Sequence, residues 1–172
     1  APDSVVRTMA FLRPLALVSS TLLLPLLAAP SNAASPASIQ GSFVLGGVDA
    51  GLKHVRAAQV TLAGDTAPGY VALLSARLAT GDLASWQTAD PAERGNFIWV
   101  QLEKPKGTVW IAELGHTTRK SGRFGIVLEL ETVSFEVRDN RLKAHLRTRG
   151  NQTFGEHAYS VDLTFEADLE GQ

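Results

Sequence analysis

A histidine stands between two cations where the first glycine-rich turn leads into a polar segment. His54 follows Lys53 and precedes Arg56, shortly after Gly46-Gly47. Histidine titrates near neutral pH, so it could act here as a general base if a nucleophile or a carboxylate lay within hydrogen-bond reach. The sequence places neither beside it. We therefore interpret His54 as a half-buried histidine bonded to a backbone carbonyl or a carboxylate, and keep His54 and Arg56 as candidate binding residues.

The histidines are too far apart in sequence to form a local metal site. They are His54, His116, His145 and His157, and no single strand or helix could offer two of them to one ion. Cysteine is absent, which excludes thiolate ligands and thiol catalysis. No segment matches a phosphate loop, a nucleophile elbow, a zinc-protease helix or a dinucleotide fingerprint. The sequence predicts neither a metal nor a cofactor, although histidines could still converge in space beside Glu113 or Glu156.

The tryptophans offer a second kind of candidate site, an aromatic one. Trp99 shares a strand face with Phe97, opposite Ile98, so both faces of that strand are apolar. Strands of this kind are usually central in a sheet and covered on both sides. The alternative is an exposed aromatic platform for a sugar or a peptide, with Trp86 at its rim. Trp86, Trp99 and Trp110 are therefore candidate binding residues.

A stripe of basic or titratable residues shares one face of a predicted strand: Arg141, Lys143, His145, Arg147 and Arg149. Such a stripe could bind a polyanion. A two-residue turn at Asp139-Asn140, however, would pair Glu136 with Lys143. One residue inserted near Thr132, a β-bulge, would then bring Glu131 opposite Arg147. We therefore predict a ladder of cross-strand ion pairs, each contributing about 0.2 to 1 kcal/mol, rather than a nucleic-acid surface.

Apolar and polar residues alternate with period two through most of the chain after residue 38, which predicts strands. The predicted strands are 39–45, 52–62, 70–78, 97–103, 108–114, 126–137, 141–149 and 159–169. Short turns between consecutive strands favour antiparallel pairing. Only residues 80–95 differ, since Thr80 and Asp90-Pro91 could each begin a helical turn and Gly95 could end one. The pattern predicts an all-β fold, an antiparallel β-sandwich or a small closed barrel of about eight strands with one or two short helical turns.

Residues 1–33 are predicted to be upstream residues and a secretory signal peptide. Met9 and Arg13 precede the apolar run 15–29, and the small residues Ser31-Asn32-Ala33 follow it. This order is typical of a signal peptide, and the run is shorter than the roughly 20 residues of a membrane-spanning helix. We expect residues 34–172 to form a single all-β domain without disulfides, periplasmic or secreted, with no membrane anchor after cleavage.

Three short segments resemble those of a known group of proteins. GSFVLGG at 41–47, LKHVRA at 52–57 and YSVDLTFEA at 159–167 are similar to segments of small exported bacterial β-proteins of uncharacterised function. The resemblance implies an exported β-protein and assigns no catalytic residue.

Net charge and site chemistry favour a binding role. The chain has 172 residues and a formal net charge of −1, so it has no bulk attraction for nucleic acid or anionic membranes. We expect a non-catalytic binding or structural module whose partner is a protein, a glycan or a small molecule, and not a nucleic acid. The alternatives are a small hydrolase-type enzyme built around His54 and a carrier of a small apolar ligand.

Export can be tested at the amino terminus of the mature protein. Cleavage is expected near Ala33 and Ala34, where small residues follow the apolar run. Intact-mass spectrometry of the exported protein should show a first residue at or close to this position. A mature chain that retains Met9 would contradict the prediction and favour a membrane anchor.

Overall fold

A computed structural model describes residues 36–61, 68–89, 91–118, 124–125 and 129–171. All of them belong to one compact unit, residues 35–172. The predicted signal peptide and its cleavage site lie outside the described residues. So do Asp90, a predicted start of a helical turn, and residues 126–128 of one predicted strand.

The described residues form eleven strands and two short helices. The strands are β1 (Ser38–Leu45), β2 (Val48–Asp49), β3 (His54–Thr61), β4 (Pro68–Ser75), β5 (Phe97–Glu103), β6 (Thr108–Gly115), β7 (Phe124–Gly125), β8 (Leu130–Arg138), β9 (Arg141–Thr148), β10 (Gln152–Phe154) and β11 (His157–Glu170). The helices are α1 (Leu83–Thr88) and α2 (Pro91–Arg94). The prediction of a mostly β fold is confirmed. Each predicted strand has a counterpart, whereas the short strands β2, β7 and β10 were not predicted.

All strands belong to one sheet that curls into a half barrel. Its main order is β2-β1-β11-β3-β4-β5-β6-β7, and β9 joins β8 to the other side of β11. Pairing is antiparallel except at the end of β11, where Leu169 and Glu170 pair in parallel with Ala57 and Ala58 of β3. β11 is also the longest strand, with 14 residues. Its length lets it pair with β1 through residues 159–166, with β9 through residues 162–168 and with β3 at its end.

The inner face of the curled sheet carries the main hydrophobic core. Alternate residues of β11 are buried in it, as the alternating sequence of that strand predicted. The largest fully buried side chains of this core include Phe43, Leu102, Leu114 and Phe165. Each of them contributes about 1.5–3 kcal/mol to folding by leaving water. The inner face is therefore packed with large side chains from strands that are distant in sequence.

The outer face of β4 and β5 is also apolar, and α1 covers it. The residues that meet there are Val71, Leu73, Leu83, Trp86, Phe97 and Trp99, and we call them the outer cluster. The prediction that β5 is covered on both faces is thereby confirmed. In the described part of the chain no helix is long and apolar enough to cross a membrane.

Helix α1 begins two residues later than predicted. The cap is Asp82, whose Oδ1 accepts a hydrogen bond of 2.6 Å from the backbone N–H of Ser85, and not Thr80. Both residue types cap helices well, so the position is decided by the contacts of the first helical turn. Leu83 and Trp86, three residues apart, must face the sheet together. Gly95, with φ of 67°, follows the end of α2 as predicted.

The β8–β9 hairpin has the predicted turn and most of the predicted register. Asp139-Asn140 form the two-residue turn with φ of 50° and 60°, a conformation that short polar side chains tolerate. Glu136 pairs with Lys143 and Glu131 pairs with Arg147. The predicted register is confirmed for both pairs, and the predicted ion pair is confirmed for Glu131 and Arg147.

Strand β11 supplies further acidic partners from the other side of β9, which the sequence analysis missed. Arg141 donates to Glu166 at 2.5 Å and to Asp168 at 2.8 Å. His145 Nε2 lies 2.7 Å from a carboxylate oxygen of Asp162. The basic stripe is therefore bordered by carboxylates on both sides.

Strand β8 approaches β6 at the turn between β5 and β6, and we call this contact between Gly107 and residues 132–135 the seam. The bulge of β8 lies here, one residue beyond the predicted position, since Thr132 is paired and Val133 is the extra residue. Thr132 Oγ1 donates to the carbonyl of Gly107 at 2.5 Å. The ring of Phe135 lies so close that a Cβ on Gly107 would be 2.1 Å from it.

The seam can be tested with two glycines of equal backbone conformation. Gly107 and Gly150 both have φ of 67°, but nothing lies within 4 Å of a Cβ added to Gly150. Alanine at either position should lower the stability by roughly 1–2 kcal/mol, because the backbone there is left-handed. Gly107→Ala must also displace Phe135, which should add about 1–3 kcal/mol. Urea unfolding should therefore show a larger decrease in the free energy of unfolding for Gly107→Ala than for Gly150→Ala. Equal decreases would contradict the contact between Phe135 and Gly107.

Candidate functional site

Most of the candidate binding residues lie on one side of the sheet. His54 and Arg56 alternate along β3 with residues of the main core, so both point to the outer face. Arg56 pairs with Leu73 of β4, which pairs with Trp99 of β5. Trp86 of α1 packs onto the same face. The outer face of β3, β4 and β5 therefore brings together His54, Arg56, Trp86 and Trp99, which come from three separate segments of the chain.

Arg56 ties the end of β11 to the segment that precedes α1. Its Nε and Nη2 donate to the two carboxylate oxygens of Glu170 at 2.6 and 2.5 Å. Its Nη1 donates to the carbonyls of Ala79 and Gly81 at 3.1 and 2.8 Å. The hydrogen bond to Glu170 raises the pKa of Arg56, although partial burial lowers it. A planar guanidinium, with five donors in fixed directions, can make all these bonds at once.

The rings of the outer cluster are packed against one another and against a buried arginine. Trp86 stacks on Trp99 with ring centroids 6.0 Å apart and planes at 7°, and its edge meets Phe97 at 4.6 Å. The guanidinium carbon of Arg94 lies 5.5 Å from the centroid of Trp86 and 5.3 Å from that of Phe97. This geometry is that of a cation–π contact. Arg94 was missed because its aromatic neighbours come from other elements.

The exposed aromatic platform considered from the sequence is wrong for two of the tryptophans. Trp86 is 7% exposed and Trp99 is 4% exposed, because α1 covers the sheet with its own ring. Trp110 is 44% exposed but is not part of the outer cluster. It is the extra residue of a bulge in β6, between Val109 and Ile111, which pair with β5. The three tryptophans therefore do not form one surface.

An open groove of about 210 Å³ lies beside the outer cluster, between the segment before α1 and the two helices. Its lining combines a cation, a carboxylate, hydroxyls and one indole. We call it the outer groove; the lining residues are Leu78, Ala79, Thr80, Ser85, Trp86, Ala89, Glu93 and Arg94. Because Arg56 holds the carbonyl of Ala79, the wall before α1 is fixed to the sheet. The groove can therefore accept hydrogen-bonding groups against a rigid aromatic wall.

His54 does not have the surroundings that either interpretation of it required. It is half-buried and pairs with Ser75 across β3 and β4. Within the described residues its ring forms no hydrogen bond to a carbonyl or a carboxylate, so the expected structural bond is wrong. In the same part of the chain, no group of three or more His, Cys, Asp or Glu residues could hold a metal ion.

Comparison of the chain with protein-family models, with curated proteins and with solved structures gives no match. The outer cluster and the outer groove are therefore interpreted from the chemistry of their own residues.

The bonds of Arg56 can be tested by a substitution that keeps its charge. Lysine cannot bind both oxygens of Glu170 and two carbonyls at once. Arg56→Lys should therefore lower the free energy of unfolding by about 1–3 kcal/mol. The lower value is expected because Glu170 is partly exposed. Hydrogen exchange of residues 79–85 should become faster. Arg138→Lys, at an exposed arginine beside Asp139, is the control and should change neither quantity. Unchanged exchange in Arg56→Lys would show that the segment is held by other contacts.

Proposed function

We propose that the chain is an exported, non-catalytic binding module whose ligand occupies the outer groove. The observation that carries the proposal is the guanidinium of Arg94 over the indole of Trp86, both of which line an open groove, with Trp99 stacked behind Trp86. Tryptophan and arginine supply most of the binding energy at many recognition sites. They do so because large flat groups lose little conformational freedom when they bind.

Preorganisation of the groove supports this proposal. One wall is α1, which is fixed by the burial of Leu83 and Trp86 against the sheet. The other wall is fixed by the bonds of Arg56 to the carbonyls of Ala79 and Gly81. A groove that is already ordered does not pay the entropy of ordering its walls when a ligand binds.

The lining favours a small polar ligand. Glu93 and Arg94 bring opposite charges, Ser85 brings a hydroxyl, and the exposed side chain of Leu78 lies at the rim. A volume of about 210 Å³ is below that of pockets for drug-sized molecules, about 300–1,000 Å³. We infer that the ligand is a single sugar unit or a comparable small polar molecule, free or at the end of a larger one.

Two rival functions place their ligand elsewhere. A carrier of an apolar molecule would use the inner face, where Phe43 and Phe165 are fully buried among other core side chains. A hydrolase would be built around His54, which lies on the outer face and, in the described part of the chain, forms no hydrogen bond to a carboxylate. The packed inner face and the position of His54 favour binding at the outer groove over both.

Export and the excluded partners are part of the proposal. Export is supported by the sequence before residue 34 and by the resemblance of segments 41–47, 52–57 and 159–167 to exported bacterial β-proteins. A nucleic-acid ligand is disfavoured because carboxylates of β8 and β11 pair with the basic stripe of β9.

We also propose that the curled sheet closes into a small barrel through β6 and β8. The hydrogen bond from Thr132 to Gly107 and the packing of Phe135 on Gly107 support closure. Phe135 also contacts Tyr70 of β4, with ring centroids 5.8 Å apart. The contrast between Gly107→Ala and Gly150→Ala tests this proposal too, since the clash exists only where β8 meets the turn between β5 and β6.

Binding at the outer groove is tested with a panel of monosaccharides, amino acids and other small polar molecules. Each is titrated into the protein up to about 10 mM, where millimolar affinity is detectable, and amide shifts are recorded by NMR. We expect shifts confined to residues 78–94. Ala89→Phe, which fills the groove, should weaken binding at least tenfold. Ala158→Phe, the same replacement on an exposed strand position, is the control and should leave binding unchanged.

The rival functions predict other outcomes of the same titration. Shifts at Phe43 and Phe165 that follow apolar probes would favour the carrier. Turnover of an ester or glycoside that is lost in His54→Ala would favour the hydrolase. Absence of shifts in residues 78–94 with every probe would refute the proposed site.

A further inference from the structure

His116, which the sequence analysis gave no role, is the buried histidine of this fold. It follows the last residue of β6 and is 1% exposed. Its ring meets the ring of Phe43 of β1 edge to face, with centroids 5.4 Å apart. Nε2 lies 3.1 Å from the carbonyl oxygen of Val48 in β2, and Nδ1 lies 2.9 Å from Thr118 Oγ1. The imidazole thus links β2 to the end of β6.

The hydrogen bonds define the protonation state of the ring. The carbonyl of Val48 can only accept, so Nε2 carries a proton and donates it. The backbone N–H of Thr118 donates to Nδ1 at 3.2 Å, so Nδ1 is an unprotonated acceptor. His116 is therefore a neutral imidazole in which both nitrogens are used.

We propose that His116 is a pH-sensitive lock that holds the β1–β2 turn to the end of β6 and opens in mild acid. A second proton would enter at Nδ1, where it would meet the N–H of Thr118. The bond from that N–H would be lost, and Thr118 Oγ1 could only accept. The imidazolium would also lie beside Phe43, in a space with almost no access to water, and burial of a charge without hydration is costly.

The groups around the ring do not compensate a full charge. Among the described residues, Asp49 of β2 is the charged group that acts on the ring, and its carboxylate already accepts the N–H of Gly51 at 2.7 Å. Phe43 brings no charge from β1, and Thr118 is neutral. Asn96, before β5, bonds to the carbonyl of Ala50 and to the N–H of Thr117 and does not titrate. Burial therefore lowers the pKa of His116, and the Val48 carbonyl and Asp49 offset this effect only in part.

The direction of the pH effect follows from this shift. At pH values above the ordinary histidine pKa of about 6.5, His116 is neutral in both the closed and the open form, and the closed form keeps its full stability. As the pH falls below that value, the open form binds a proton first and is stabilised. Closure weakens until the pH passes the lowered pKa of the closed form, after which the loss is constant.

Opening should be local, because other bonds hold the rest of this region. Asn96 still bonds to Ala50, and the N–H of Lys53 donates to the carbonyl of Ser75 at 2.9 Å. Gly46 and Ala50 also keep their backbone bonds to Ala158 and Phe43, and Thr117 keeps its bond to Asn96. The parts that depend on His116 itself are residues 47–49 and Thr118. These are the residues at which acid should increase the accessible surface.

Hydrogen exchange of the intact protein between pH 7.5 and 5 tests the lock. Exchange rates are divided by the intrinsic rate at each pH, so that only the opening equilibrium is compared. The opening of residues 47–49 and of Thr118 should rise by up to about tenfold for each pH unit below 6.5, the limit for one proton. The amides of β4 should not change. NMR titration of the His116 imidazole should show Nε2–H and a midpoint below the ordinary histidine pKa of about 6.5.

Matched variants separate the lock from a general effect of acid. His116→Gln keeps a donor for Val48 but does not titrate, so residues 47–49 should exchange independently of pH. His145→Gln, on β9 and bonded to Asp162 of β11, should behave as the unaltered chain. A His116 midpoint at or above the ordinary histidine pKa of about 6.5 would overturn the proposal. So would pH-independent opening in the unaltered chain, which can be measured even if His116→Gln fails to fold.

Discussion

Apolar residues on both faces of β4 and β5 are the constraint from which the rest of the architecture follows. Inward residues such as Leu102 enter the main core, and outward residues such as Leu73 and Trp99 require a second cover. Leaving that outer surface in water would cost roughly 25 cal/mol for each Å². The chain between the two strands therefore turns back over the sheet as α1 and α2. The outer groove exists because this cover is short and leaves a gap beside the segment that precedes it.

The outer face of β9 carries charged side chains and is not covered by either of the described helices. On β9 every outward cation has carboxylates beside it from β8 or β11, and these strands are paired in register. The hydrogen bond from Arg147 lowers the pKa of Glu131, so this pair persists well below neutral pH. Exposed pairs of this kind contribute little stability each, but they keep an open strand surface from presenting a field of one sign. One side of the molecule is therefore aromatic and the other is a balanced array of charges.

The sequence was sufficient to predict the parts of the structure that depend on local periodicity, namely the long strands and one hairpin. Alternation located the long strands, and the Asp139-Asn140 turn fixed the register that brings Glu131 to Arg147. Contacts between distant segments were not accessible in the same way. Arg94 lies on rings from α1 and β5, and Glu170 reaches Arg56 across more than a hundred residues. The candidate tryptophans were found by type, but only packing decided that Trp86 and Trp99 are covered and Trp110 is not.

The position of β11 has a consequence for the order of events during biosynthesis. This strand joins β1, β3 and β9, yet it is synthesised after every one of them. A ribosome-bound chain that lacks it cannot form the strand pairs that connect β1, β3 and β9. Such long-range pairing also makes folding slow, because the ends of large loops must meet before the contacts form. The consecutive strands β3, β4, β5 and β6 can pair before β11 exists, but the complete sheet forms only when this last strand is available.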